Sequence, residues 1–310
     1  WAFVLFLIWS NSFIAIGLLL GSEEQAARFD PLSLTVARFV PLLLIVVPII
    51  LIVWPREARR VVREHWRRLL VCGFLAVPGY SLALYAGQAG GVPPPIASIE
   101  TSLAPLFLMI LSAAFLGERL SRQKLAGFAV AVVGLVLIAR AKDDGGSVGY
   151  AGYVVLTALA PLAWAIYSVL TKPVTKTCHP VLWTFLALVV GTLPLVPLVP
   201  FSGGPEMLAL DGLGWGALLY LALLCTVFGN AAWNWLVKHM PASSVGFTIF
   251  LNPPLTTTSK ALLATFFPAI FVFQILPLEW LGGAIVLLGL ALALWPRPPK
   301  LPTATPPVGD

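Results

Sequence analysis

Residues 150–171 read YAGYVVLTALAPLAWAIYSVLT, a stretch without one charged side chain. A helix rises about 1.5 Å per residue and a bilayer's hydrocarbon core is about 30 Å thick, so about 20 apolar residues cross it. Stretches of this kind recur along the chain. Ten spans can be drawn, over about 1–20, 31–54, 69–90, 94–116, 122–140, 150–171, 180–201, 213–237, 242–265 and 279–296. They use most of the 310 residues, of which 59% are hydrophobic and 10% charged. The mean hydropathy is +0.94. A soluble domain carries roughly 25% charge, so a soluble globule is excluded, as is a disordered chain, which needs high polarity. A transmembrane β-barrel alternates polar and apolar residues, whereas these runs are continuous. The expected fold class is an all-α polytopic membrane protein with ten transmembrane helices and the lipid bilayer as its surroundings.

Orientation follows from the basic residues. Loops on one side hold Arg56, Arg59, Arg60, Arg63, Arg67, Arg68, Arg119, Arg122, Lys124, Lys172, Lys176, Lys238, Arg297 and Lys300. The other side holds Arg28, Arg140 and Lys142, while Arg38 and Lys260 fall inside spans. Basic loops stay cytoplasmic, so both termini are expected inside, with the protein in the inner (plasma) membrane. The net charge of +6 is therefore read as topology, not as affinity for nucleic acid. The run from Arg56 to Arg68 could also meet anionic lipid. The chain begins at Trp1 without Met, which points to a missing start. Its first run is not a signal peptide, being long and lacking a small-residue cleavage site.

The chain also repeats itself. Asp30-Pro31 opens the second span and His179-Pro180 the seventh. Pro93 and Pro105 bracket the start of the fourth span as Pro241 and Pro253 bracket that of the ninth, and Leu103-x-Pro105 matches Leu251-x-Pro253. Gly127 and Gly134 of the fifth span match Gly282 and Gly289 of the tenth. Each half has five spans, an odd number, so the second half enters the membrane from the opposite side. Inverted-topology repeats of this kind build alternating access in secondary transporters. The expected organisation is a first repeat over 1–140, a connecting loop over 141–149, a second repeat over 150–296 and a cytoplasmic tail over 297–310.

These residues carry a resemblance. Trp9-Ser10-Asn11-Ser12, Pro31 and Arg38, then Leu103-Ala104-Pro105 and the run from Phe115 through Gly117-Glu118-Arg119-Leu120-Ser121 to Gly127, resemble an EamA module of the drug/metabolite transporter superfamily. In the second half the Gly-Glu-Arg-Leu turn is replaced by Phe267-Pro268-Ala269. The resemblance implies paired modules forming a ten-helix exporter of small metabolites, most similar to the YddG-type aromatic amino-acid exporters. It also implies that helices 1–4 and 6–9 surround a central cavity, with 5 and 10 peripheral.

Within the spans, polar groups stand out. Arg38 lies about 12 Å, and Glu100 about 9 Å, below the outer ends of their helices. Such groups are costly in a membrane and normally face the bundle interior, paired. Two readings follow: an ion pair clamping the second and fourth helices, or groups that meet substrate charge or a proton. Ser244, Thr248 and Asn252 form a stripe at four-residue spacing, as do Asn230 and Asn234. Such stripes line cavities or glue helices. Trp9 and Trp164 sit at mid-membrane, unlike interfacial tryptophans, and either pack or stack against a substrate. Tyr80, Tyr85 and Tyr167 are similar cases, and Asn11 joins the candidate cavity residues beside Trp9. Pro105 and Pro253 are candidate hinges or static kinks. The paired glycines read as close helix contacts.

Cys72, Cys178 and Cys225 form no CxxC pair, and HExxH, GxSxG and Walker A motifs are missing. Neither a metal, a cofactor nor an enzyme is expected. The leading reading is a secondary transporter exporting amino acids, aromatic or apolar, or similar metabolites. A passive facilitator or channel, and then a membrane enzyme, are the alternatives. A small molecule is the expected partner and a monomer the working expectation. The topology has a direct check. With a membrane-impermeant thiol reagent, a cysteine replacing Asp144 should label in intact cells and one replacing Arg60 should not. The reverse pattern would overturn the orientation.

Overall fold

The computed structural model describes residues 2–21, 27–107, 110–111, 122–141, 149–230, 232 and 251–294. Among them every regular element is helical, as a solvent without hydrogen bonds demands. In chain order these are α1 (Ala2–Leu20), α2 (Pro31–Phe39), α3 (Leu43–Val53), α4 (Pro55–Phe74), α5 (Tyr80–Ala89), α6 (Pro94–Thr101) and α7 (Arg122–Ala139). Then come α8 (Tyr150–Thr171), α9 (Pro180–Thr192), α10 (Gly204–Leu208), α11 (Gly212–Leu219), α12 (Asn252–Phe266) and α13 (Pro277–Leu294). By length and hydropathy, Phe3–Leu20, Pro31–Val53, Pro55–Ala89, Tyr150–Thr171 and Pro180–Leu198 can each cross a membrane, and three shorter apolar helices accompany them. Side chains such as Leu44, Ile52 and Leu288 are exposed, as lipid-facing positions should be.

Several spans are broken. Pro41 separates α2 from α3. The fourth span is interrupted at Ser102–Leu103, just before Pro105. The seventh leaves the α-helix for 3₁₀ geometry at Leu193–Leu198. The third and eighth each contain a π-helical stretch, Leu75–Gly79 and Tyr220–Phe228. The apolar segment after α12 does not lengthen that helix: α12 ends at Phe266 and residues 271–276 are irregular.

The sequence reading needs one correction here. The run Arg56–Arg68 is not a loop but the first part of α4, which starts at Pro55 and bends at His65 (φ −126°, ψ 20°). Proline suits a first helical turn, where its missing N–H is no loss. Ala58, Val61 and Leu69 are buried while Arg56, Arg59, Arg60 and Arg63 are exposed, so the segment is amphipathic.

The two halves meet through matched contacts. α7 and α13 pack along their glycines. A Cβ on Gly134 would lie 2.5 Å from the Gly282 carbonyl oxygen, and one on Gly127 would lie 2.5 Å from that of Gly289. The two glycine pairs therefore meet in crossed order, Gly127 against Gly289 and Gly134 against Gly282, as antiparallel helices require. The ends are also tied. Asp30 caps α2 by accepting from Leu32 and Ser33 N–H at 2.8 and 3.1 Å, and Ser33 Oγ lies 2.8 Å from Glu206 Oε1. Arg28 forks onto Asp211 with two bonds of 3.1 Å. At the other side, His179 N–H donates to Glu57 Oε1 at 2.9 Å and Arg60 to the Thr177 carbonyl at 3.1 Å. The start of the second span is thus held by Glu206, and the start of the seventh by Glu57.

The glycine seam gives a stability test. Gly134→Ala must force α7 and α13 apart and should lower stability by about 1–3 kcal/mol. Gly216→Ala, with no atom within 4 Å of its Cβ position, should be neutral or gain about 0.5 kcal/mol. Thermal unfolding of both purified variants checks the difference.

Candidate functional site

A cavity of about 160 Å³ lies between the two halves. The sequence-selected Trp9, Arg38, Tyr80, Trp164, Tyr167 and Asn252 all line it. They come from α1, α2, α5, α8 and α12, so both repeats contribute. Asn11 and Glu100 are not among its walls; Asn11 donates to the Leu7 carbonyl in its own helix at 2.8 Å. Ser244 and Thr248 lie outside the described residues, as do Asn234, the Gly117–Ser121 turn, residues 142–148 and the tail. Pro105 follows the break at Ser102–Leu103, and Pro253 sits in the first turn of α12. Both prolines therefore stand where a helical segment restarts, beside the wall residues Ala104 and Asn252.

Part of the cavity wall is built around Arg38. Its Nη1 donates to Tyr85 Oη at 2.6 Å, and its Nε and Nη2 donate to Thr226 Oγ1 at 3.1 and 2.9 Å. Of the two readings, the clamp with Glu100 is not formed: among the described residues no carboxylate lies within ion-pair distance of Arg38. Depth along the helix matched the two residues, but they point to different neighbours. The guanidinium is held by neutral hydroxyls and keeps its charge facing the cavity. Asn252, also a wall residue, has a buried Oδ1 without a donor.

The π-helical stretch explains two of these contacts. In it the Gly229 N–H reaches back to Leu224 O, skipping the Cys225 carbonyl that an α-helix would use. That carbonyl instead accepts the Trp9 indole N–H at 3.0 Å. The Thr226 hydroxyl gives its proton to Leu221 O at 2.9 Å, which turns its lone pairs to Arg38. Single π turns inside helices often mark functional sites. Aromatic rings make up much of the wall: Trp164 meets Tyr167 at 5.4 Å and Tyr80 at 6.1 Å between ring centroids. Tyr85 was among the sequence candidates on weaker grounds. Thr226 was missed, although its spacing of four from Asn230 extends the polar stripe of that span.

A helical membrane protein with an internal cavity lined by one guanidinium and several aromatic rings has the form of a carrier for small molecules. The EamA-like transporter family matches the chain twice, over residues 1–140 and 151–295. The chain belongs to that family and is a membrane transporter, not an enzyme. It is 28% identical over 300 residues to a "Probable terminal-alkyne amino-acid exporter" of Streptantibioticus cattleyicolor, covering 94% of this chain and 92% of that one. It is 28% identical over 204 residues to a "Probable amino-acid metabolite efflux pump" of Salmonella typhimurium, covering 60% and 67%. A "Riboflavin transporter" of Rhizobium johnstonii is 29% identical over 234 residues, covering 73% and 69%. A solved crystal structure shares the fold with a TM-score of 0.58 at 21% identity, covering 94% of this chain and 95% of that one.

The Arg38 anchor can be tested without a substrate. Thr226→Val preserves shape but removes the acceptor of two guanidinium N–H groups, and Tyr85→Phe removes the third. Each should lower thermal stability by about 1.5–3 kcal/mol, the range for bonds to a charged group.

Proposed function

We propose that this chain is a secondary transporter that exports amino acids with aromatic or apolar side chains across the inner membrane by alternating access. The observation that carries this reading is the cavity's polarity. Arg38 offers a cation fixed by neutral partners, and a guanidinium fork suits a carboxylate. Asn252 Oδ1 offers an acceptor for an ammonium. Trp9, Tyr80, Trp164 and Tyr167 offer faces for a side chain. The volume is in the class of an engineered cavity of about 150 Å³ that holds benzene, so one ring fits and a fused tricyclic flavin does not. The relatives named as amino-acid exporters support the substrate class. The inverted repeat, with Glu206 tying the start of one repeat's second helix and Glu57 the start of the other's, supplies matched ties that can open in turn. Both termini lie in the cytoplasm on this reading, by the bias of the basic residues.

Trp164→Ala tests it. Counterflow of labelled amino acids in proteoliposomes should show phenylalanine transport weakened about three- to tenfold, the worth of a lost aromatic contact. Alanine transport should change little. Equal loss for both substrates would mean that Trp164 only packs.

A further inference from the structure

Outside the lining of the cavity lies a second polar cluster. Glu100 of α6 and Glu279 of α13 are both fully buried. Neither Glu100 oxygen has a hydrogen-bond partner. Glu279 is better served: Oε1 accepts the Tyr150 hydroxyl, and Oε2 accepts the Leu276 N–H at 2.9 Å. The two helices that carry these carboxyls touch. A Cβ on Gly283, one turn after Glu279, would lie 2.7 Å from Ile99 Cδ1, beside Glu100. α8 lies against both, with the Tyr150 hydroxyl donating to Glu279 and Thr157 beside Glu100. The single proton of Thr157 goes to the Tyr153 carbonyl at 3.0 Å, so it leaves Glu100 empty. Gln88, fully buried with neither polar side-chain atom bonded, is next to Gly87, which packs on Thr157.

Among the described residues, the charged and titratable groups on the elements around Glu100 are few. α13 brings Glu279, and α8 brings Tyr150 and Tyr153. α5 brings Tyr80, a cavity wall, and Tyr85, already engaged by Arg38. α1 has none. α12 brings Lys260, buried with its ammonium 6.0 Å from the Phe271 ring centroid. A carboxyl buried without a hydrogen-bond partner, as Glu100 is, is far cheaper to hold neutral than ionised, the more so with a second buried carboxyl on the helix it packs against. A metal ion would want a cage of several oxygens, whereas a proton needs one. Glu279 is in the first turn of α13, near the outer face by the topology above. Glu100 lies deeper, and the next residue, Thr101, is a cavity wall.

We propose that Glu100 and Glu279 form a proton-binding site, distinct from the substrate cavity, that takes up one proton from the outer side as substrate is released there. The proton travels inward while substrate travels outward, which makes export an antiport. The proposal rests on the transport reading above, yet its test separates the two.

Infrared difference spectra of the purified protein, acid against alkaline and without substrate, should show a protonated carboxyl band. Glu100→Gln and Glu279→Gln should each diminish it. Tyr150→Phe, which keeps the ring, should move the pH at which it appears. In proteoliposomes, a proton gradient should drive phenylalanine accumulation by the wild type. Both Gln variants should lose that response while keeping counterflow. A missing band in the wild type overturns the site, whether or not the variants fold. So does a gradient response that survives in either variant, or accumulation driven by sodium instead. A band that behaves as expected in a protein that moves no amino acid supports the proton site and removes the substrate reading.

Discussion

Hydrocarbon offers no hydrogen bonds, so every polar atom inside the bilayer must be satisfied by the protein. That constraint explains why the described elements are helices. It also explains why most intramembrane hydroxyls bond back to their own helix, as Ser10 does to Leu7 and Ser168 to Trp164. The informative places are the exceptions. Arg38 is carried by hydroxyls from α5 and the eighth span. Asn252, Glu100 and Gln88 carry buried atoms with no partner at all. Such groups are expensive and are kept where they serve a purpose. Their positions sort into two sites: one facing the cavity, one outside its lining.

The same constraint links backbone irregularity to chemistry. A π-helical turn frees a carbonyl, and the Trp9 indole takes it, which fixes the tryptophan at the cavity wall. A break at Ser102–Leu103 ends α6 next to Glu100 and Thr101. Breaks are affordable here because they lie inside the bundle. The glycine seam between α7 and α13 is the opposite case, where regular helices approach so closely that no side chain fits.

Much of this was legible in the residues. Uncharged runs placed the helices, and α8 and α7 start and end almost where the pattern put them. Matched Gly127/Gly134 and Gly282/Gly289 spacing announced a contact, though not that the pairs would touch each other. The aromatic candidates and Arg38 reached the cavity because mid-membrane depth is rare for such groups. Azimuth was not legible. Counting residues gives depth along the membrane normal, which made Arg38 and Glu100 look like partners. It does not say which way each helix turns, and the structure turns them apart. Nor could pattern reveal the π turn at Tyr220–Phe228, which has no proline, or that a helix would continue through six arginines.

The central claim is that Arg38 and the aromatic walls together recognise a zwitterion bearing an apolar side chain. Equilibrium binding to the purified protein tests it most directly, comparing phenylalanine with phenethylamine, which lacks the carboxylate. Phenylalanine should bind at least about tenfold more tightly, since a charge-assisted bidentate bond is worth more than 1.4 kcal/mol. That preference should vanish in Arg38→Gln. Equal binding of the two ligands by the wild type would contradict the account.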